Sequence, residues 1–139
     1  MTPRGLRNNN CLNIRKSNDK WEGMSQEQPD KDFVCFITPE WGIRAAYRIL
    51  CTYNIKYHCK TIGQIISRWA PPNENDTVTY LRFVCNVCKC EPEAIIDIND
   101  TDFMCKLIKA MCKMENGSCP YSDPLIKKGI SLKDARYVA

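Results

Sequence analysis

Apolar positions recur along this chain in two regimes, and the change between them falls near residue 38. Beyond it the spacing is helical. Thr38 stands as N-cap before Pro39, whose missing N–H costs nothing at the first helical position, and Glu40 suits the first turn. The stripe Ile43, Tyr47, Leu50, Asn54 and Tyr57 predicts a helix running to about Tyr57. Thr61-x-x-Gln64 reads as a capping box for a short helix with Ile62, Ile65, Ile66 and Trp69 on one face, ended by Pro71 and Pro72. Asn75 or Asp76 announces a third helix that turns Tyr80, Leu81, Val84 and Val87 inward and stops near Pro92. Asn99-Asp100-Thr101 caps a fourth, with Phe103, Leu107, Ile108, Met111 and Met114 as its apolar face and Gly117 at the terminating position. Ser122 or Asp123, with Pro124, opens a last short helix that closes near Gly129.

Before residue 38 the pattern is polar and rich in turns. Short apolar pieces at Cys11 to Ile14 and Phe33 to Ile37, separated by Asn18-Asp19 and Pro29-Asp30, predict two or three short strands. The expected architecture is α+β: one domain over residues 1–139, with a small β-lobe at about 5–37, a helical lobe at about 38–130 and a peripheral tail at 131–139.

Composition narrows the class. With 139 residues, 44% hydrophobic and 26% charged, the chain is an ordinary single globular domain. No apolar run approaches the roughly 18 residues of a membrane span, and Arg4 and Arg7 are followed by Asn8, Asn9 and Asn10 rather than an apolar leader core. If the protein is exported, the expectation is that its leader has been removed or that another route carries it. The net charge of +4 is carried by isolated pairs such as Arg15-Lys16 and Lys127-Lys128. A nucleic-acid partner would call for a denser basic stripe, so none is expected.

Ten cysteines are the unusual feature. Three states stay open: buried thiols acting as small hydrophobes, one or more disulfides, or a Cys3His zinc site drawn from Cys85, Cys88 and Cys90 and from His58, which stands beside Cys59. Cys105 and Cys112 lie two helical turns apart, on one face but out of bridging reach.

One carboxylate stands out. Glu115 lies in the last turn of the fourth helix, where the carbonyl end disfavours negative charge by about 0.3–1 kcal/mol. Further desolvation by Met111 and Met114 would let it hold a proton and act as a general acid. From the physics alone the preferred reading is the plainer one, a solvated glutamate beside a glycine cap.

Longer motifs carry a resemblance. Pro3 to Arg15 (PRGLRNNNCLNIR), Trp21-Glu22-Gly23, Asp32 to Phe36, Gly42 to Ala45, Trp69 to Thr77 (WAPPNENDT) and Met114 to Gly117 resemble a family of phage, prophage and mobile-element proteins, including those of Bacteroides-type bacteria, described as structural or endolysin-like. The match spans about residues 3 to 130. Residues 107–122 further resemble the catalytic helix of lysozyme-like lytic transglycosylases, where Glu115 takes the place of the acid. Asn9 to Arg15, Trp21-x-Gly23 and Phe33 to Ala46 are similar to segments that follow the catalytic glutamate in glucosaminidases. Their order here is reversed, as in a circular permutation. Glu74-x-x-Thr77-x-x-Tyr80 resembles the segment whose tyrosine faces the groove. Cys11-Leu12, Cys35 and Asn116 depart from the pattern of the relatives.

The resemblance implies a peptidoglycan-cleaving glycosidase, a lytic transglycosylase or a muramidase/glucosaminidase, with Glu115 and Tyr80 at the catalytic centre. Asp30 is the choice for a second carboxylate, ahead of Asp32, Glu22 and Glu40, and a transglycosylase needs none. Asn9, Asn10, Trp21, Glu74 and Asn116 are the expected substrate contacts. Trp21, Trp41 and Trp69 could each stack on a sugar ring, with Trp69 reading as core at the end of its amphipathic helix, and Asn8, Asn9 and Asn10 could simply make a turn. No cofactor or metal ligand set is implied. The expected partners are peptidoglycan glycan strands and virion or conjugation-machinery proteins, at the bacterial cell wall or periplasm. The other class is a non-catalytic phage or mobile-element protein that keeps the fold to bind peptidoglycan.

Overall fold

The computed structural model describes residues 2–73 and 76–132 and is mainly helical. Six helices follow one another among the described residues: α1 (Arg4–Arg7), α2 (Pro39–Ile55), α3 (Ile62–Trp69), α4 (Thr77–Cys88), α5 (Thr101–Asn116) and α6 (Asp123–Ser131). None is long and apolar enough to cross a membrane.

Local chemistry explains their ends. The Thr61–Gln64 capping box forms in full, Asp76 accepts from the Thr79 amide, Asp100 from Phe103 and Ser122 from Leu125. Each satisfies an amide that would otherwise lack a partner at a helix start. Thr38 caps α2 by position alone, with no side-chain bond. Helix α4 stops at Lys89 in the left-handed conformation, three residues before the expected Pro92, and α6 continues to Ser131.

Helix α5 is the centre of the core. Met104, Leu107, Ile108 and Met111 are at most 1% exposed, and α4, α6 and α1 all pack against α5. Each such side chain contributes roughly 1.5–3 kcal/mol by burial. Ile43 and Leu50 of α2, Ile62, Ile65 and Ile66 of α3 and Ile126 of α6 complete it. Tyr57, expected on the buried stripe of α2, lies beyond the helix end and is exposed, its ring under the Arg68 guanidinium at 3.6 Å.

The expected β-lobe is replaced by a loop layer. Residues 8–38 hold two isolated antiparallel bridges, Arg15 with Phe33 and Met24 with Phe36, and no strand. Side-chain amides occupy the places of strand neighbours. Asn10, fully buried, donates to the Ile14 and Val34 carbonyls at 3.0 and 2.8 Å and accepts from the Ile14 amide at 2.9 Å. Gln28 does the same for Cys35, bonding both its amide and its carbonyl at 2.8 Å. With these groups engaged, and with Asn9 and Asn13 at positive φ, a ladder cannot propagate. The short helix α1, which sequence periodicity is too brief to reveal, lies under this layer and against α5. The tail from residue 133 onward lies outside the described residues.

Candidate functional site around Glu115

Gly117 ends α5 at φ 79°, its amide returning to the Lys113 carbonyl. That left-handed stop, which glycine adopts without penalty, leaves Glu115 on the final turn, half-buried. Two donors from other helices reach it. Trp69, the last residue of α3, donates from its indole Nε1 to Glu115 Oε2 at 3.2 Å. Tyr80, in the first turn of α4, donates from its hydroxyl to the same oxygen at 3.1 Å. The α3–α4 connection fixes both. Thr77 donates from Oγ1 to the Ala70 carbonyl, and Asp76, its carboxyl lowered by bonds from Thr79, holds the start of α4.

Burial, and after it the adjacent Glu115 carboxylate, push the Tyr80 phenol far above its ordinary range. Tyr80 is therefore a neutral donor at every physiological pH. Among the described residues Glu115 Oε1 accepts no hydrogen bond, so one oxygen is anchored and the other is available.

The carboxylate lines a cleft of about 450 Å³ between the loop layer, with Asn13, Ile14, Arg15 and Phe33, and the helical face, with Tyr53 and Trp69. A second hollow of about 290 Å³ shares Ile14, Arg15, Tyr53 and Trp69 and extends past Asp19 to Trp21. Together they form a groove with aromatic rings along it and Arg15 at its edge. Phe33 is clamped between cations, with the Arg4 and Arg15 guanidinium carbons 4.5 and 4.9 Å from its ring centre.

Of the residues expected at the site, Glu115 and Tyr80 meet, and Trp21 lies in the extension of their groove. Asn9 and Asn10 do not reach it: Asn9 spends its amide on the Phe36 carbonyl at 3.0 Å, and Asn10 is fully buried in the loop layer. Asn116 also turns inward, donating to the Cys11 and Cys112 carbonyls at 2.8 and 3.1 Å. Glu74 lies outside the described residues.

Asp30 borders a different hollow, with Asn8, Ser25 and Cys35. Its carboxylate takes two bonds of 2.6 Å from Arg4, one of 3.0 Å from Asn8 and backbone amides from Asp32 and Phe33. The Arg4 bond above all holds its carboxyl well below the ordinary range. Such a group is a structural anion; it has no lone pair left to take a proton as a base.

Arg15, Phe33 and Tyr53 are the site residues that sequence reasoning missed, and Trp69, open to sugar stacking, reads there as core. Trp69 shares the spacing of Ile62, Ile65 and Ile66, and periodicity cannot separate the last core position from a groove wall. The zinc reading of Cys85, Cys88 and Cys90 is not assembled: among the described residues no three His, Cys, Asp or Glu are placed to hold a metal, and all ten cysteines are free thiols.

No family model matches the chain. Protein P5 of Pseudoalteromonas phage PM2 is 48% identical to it over 129 residues, covering 91% of this chain and 79% of the phage protein. At that identity and coverage, this chain belongs to the family of the phage PM2 protein P5.

Proposed function

We propose that this protein is a peptidoglycan-cleaving glycosidase of lytic transglycosylase type, on a permuted lysozyme-like domain, with Glu115 as general acid. The observation that carries the reading is the convergence of Trp69 and Tyr80 on one oxygen of Glu115 inside an aromatic groove. Two stretches far apart in sequence, residues 69–80 and 107–122, each part of the resemblance, supply that one arrangement.

In this reading Glu115 Oε1 carries the proton to the glycosidic oxygen, while Oε2 stays fixed by its two donors. The rings of Trp69, Tyr53 and Trp21 offer stacking faces for sugars, and Arg15 offers a cation to the acidic peptide stems. Among the described residues bordering the Glu115 cleft, no second carboxylate is present. Asp19 borders the adjoining hollow; in the route proposed here the N-acetyl group of the sugar assists departure, and no second carboxylate is needed. Glu115, ionised after the first step, then takes the proton from the sugar's own hydroxyl as the anhydro ring closes.

The test is digestion of purified peptidoglycan by the wild type and by Glu115→Gln, with mass spectrometry of the fragments. Anhydromuramic ends are expected from the wild type and a fall of roughly 10²–10⁴ in their rate of release from the variant. Reducing ends would instead indicate a hydrolase. Binding to the polymer without fragments from either protein would indicate the non-catalytic role.

A further inference from the structure

The positive charge of the molecule is not spread evenly. Residues 41–73, which hold most of α2, all of α3 and the turn between them, carry five of the twenty Lys and Arg and none of the sixteen Asp and Glu. The rest of the chain, fifteen cations against sixteen carboxylates, is close to neutral. The net charge of +4 therefore belongs to this one segment.

Arg44 is buried, while Arg48, Lys56, Lys60 and Arg68 are exposed. Among the described residues none of these four is in an ion pair, whereas Lys109, Lys127 and Lys128 of α5 and α6 each face a carboxylate. Rings and a carbonyl hold the four instead. The Arg68 guanidinium lies 3.6 Å from the Tyr57 ring centre and 5.2 Å from that of Tyr53. Lys56 sits 5.4 Å from the Tyr57 ring, and Lys60 donates to the Asn54 carbonyl at 2.9 Å. An aromatic face directs a cation without neutralising it, so the charge stays uncompensated.

This face is continuous with the groove. Tyr53, beside Arg68, is also a wall of the Glu115 cleft. Thr52 borders both the hollow that runs to Trp21 and a further one of about 270 Å³ lined by Arg48, Cys51, Ile55 and Lys56. Ile55 is 63% exposed, so apolar surface stands among the cations. On the other side, the loop whose backbone bonds to Lys60 and Ile62 carries Glu91, Glu93 and Asp97 and ends the basic face.

We propose that Arg48, Lys56, Lys60 and Arg68 form a second binding surface for peptidoglycan, which holds the carboxylates of stem peptides while the glycan that bears them lies in the Glu115 groove. The inference rests on the glycosidase reading of that groove. Stem peptides combine free carboxylates with small apolar side chains, which suits unpaired cations around an exposed isoleucine. An anionic bilayer also offers negative charge, but it does not bring that charge to the end of a sugar groove.

Exposed charge pairs are individually weak and screened by salt, so the test compares two forms of one polymer. Glu115→Gln in the full chain leaves the polymer uncut, and its Kd is measured for soluble peptidoglycan strands before and after an amidase has removed their peptides. Peptide-bearing strands are expected to bind roughly 10-fold more tightly at low salt, with the preference fading as salt rises. Adding Arg48→Gln and Lys56→Gln should remove most of that preference and leave the affinity for stripped strands unchanged. Lys31→Gln with Lys106→Gln, the same loss of charge elsewhere on the surface, should keep it. Equal affinity for the two strand forms, no binding to either, or equal losses from the two double variants overturns the proposal. Binding to phosphatidylglycerol vesicles that is lost with Arg48→Gln and Lys56→Gln, without a preference for peptide-bearing strands, overturns it in favour of a lipid surface. The strand comparison reads no cleavage and needs neither double variant. A wild type that binds with the expected preference but releases no fragments defeats the glycosidase reading alone, and one that cuts both forms while binding them equally defeats this inference alone.

Discussion

The hydroxyl of Tyr80 meets the carboxylate of Glu115 at 3.1 Å across 35 positions of sequence. A hydrogen bond to a charged group contributes roughly 1.5–3 kcal/mol, about twice a neutral one. Tyr80→Phe keeps the ring in its packed site and removes only the donor. The expected outcome is a loss of roughly 10–100-fold in peptidoglycan cleavage, with the fold retained by circular dichroism. Wild-type turnover in this variant would show that the bond does not serve the reaction.

Asp30 separates stability from catalysis. Its carboxyl is held below the ordinary value of 3.8, chiefly by Arg4. A carboxyl lowered on folding stabilises the protein above its unfolded value, and that contribution fades as pH falls from there toward the lower folded value. The Tm of the wild type should exceed that of Asp30→Asn at pH 6 to 7, and the gap should shrink below about pH 4. Cleavage by Asp30→Asn at neutral pH should match the wild type. A loss of cleavage at unchanged Tm would restore Asp30 as a reacting carboxylate.

How much of this was legible beforehand depends on the kind of signal each residue gives. The caps at Thr61, Asp76, Asp100 and Ser122 and the stop at Gly117 are local chemistry, written within four residues; the sequence places the start of each helix but leaves Asn75 or Asp76 and Ser122 or Asp123 open, and in the structure Asp76 and Ser122 are the caps. Glu115 and Tyr80 could be singled out because each sits at a helix end inside a recognisable motif. The loop layer could not be read in the same way. The unbroken apolar run from Phe33 to Ile37 looks like a strand, but the side chains of Asn10 and Gln28 replace its neighbours, and nothing in a window of ten residues shows that Asn10, 24 positions from Val34, is one of them. Trp69 was misread for a related reason, since its helix face is shared by the core and the groove.

Gly42 is where the loop layer rests on α2. A Cβ there would lie 1.9 Å from the Asn9 carbonyl oxygen, a backbone atom that cannot swing aside. Gly42→Ala must push the layer off the helix, at a cost of about 1–3 kcal/mol. Urea denaturation should show a lower midpoint with an unchanged slope. Because Asn13, Arg15 and Phe33 form one wall of the groove, cleavage should fall in the same variant even at temperatures where it remains folded. An unchanged midpoint would mean that the close approach is relieved at little cost.

Lys89 offers the opposite sign. It ends α4 at φ 54° and ψ 51°, a left-handed conformation in which a side chain costs roughly 1–2 kcal/mol that glycine does not. The side chain is exposed, so its removal should sacrifice little packing. Glycine also has more freedom to lose from the unfolded chain, which takes back part of the gain. The net expectation for Lys89→Gly is a stabilisation of about 0.5–1 kcal/mol, read as a higher urea midpoint at constant slope. Lys89→Ala keeps the Cβ and the strain, and it should show no such gain. If both variants stabilise equally, the benefit comes from deleting the lysine side chain, and the backbone at this helix end is unstrained.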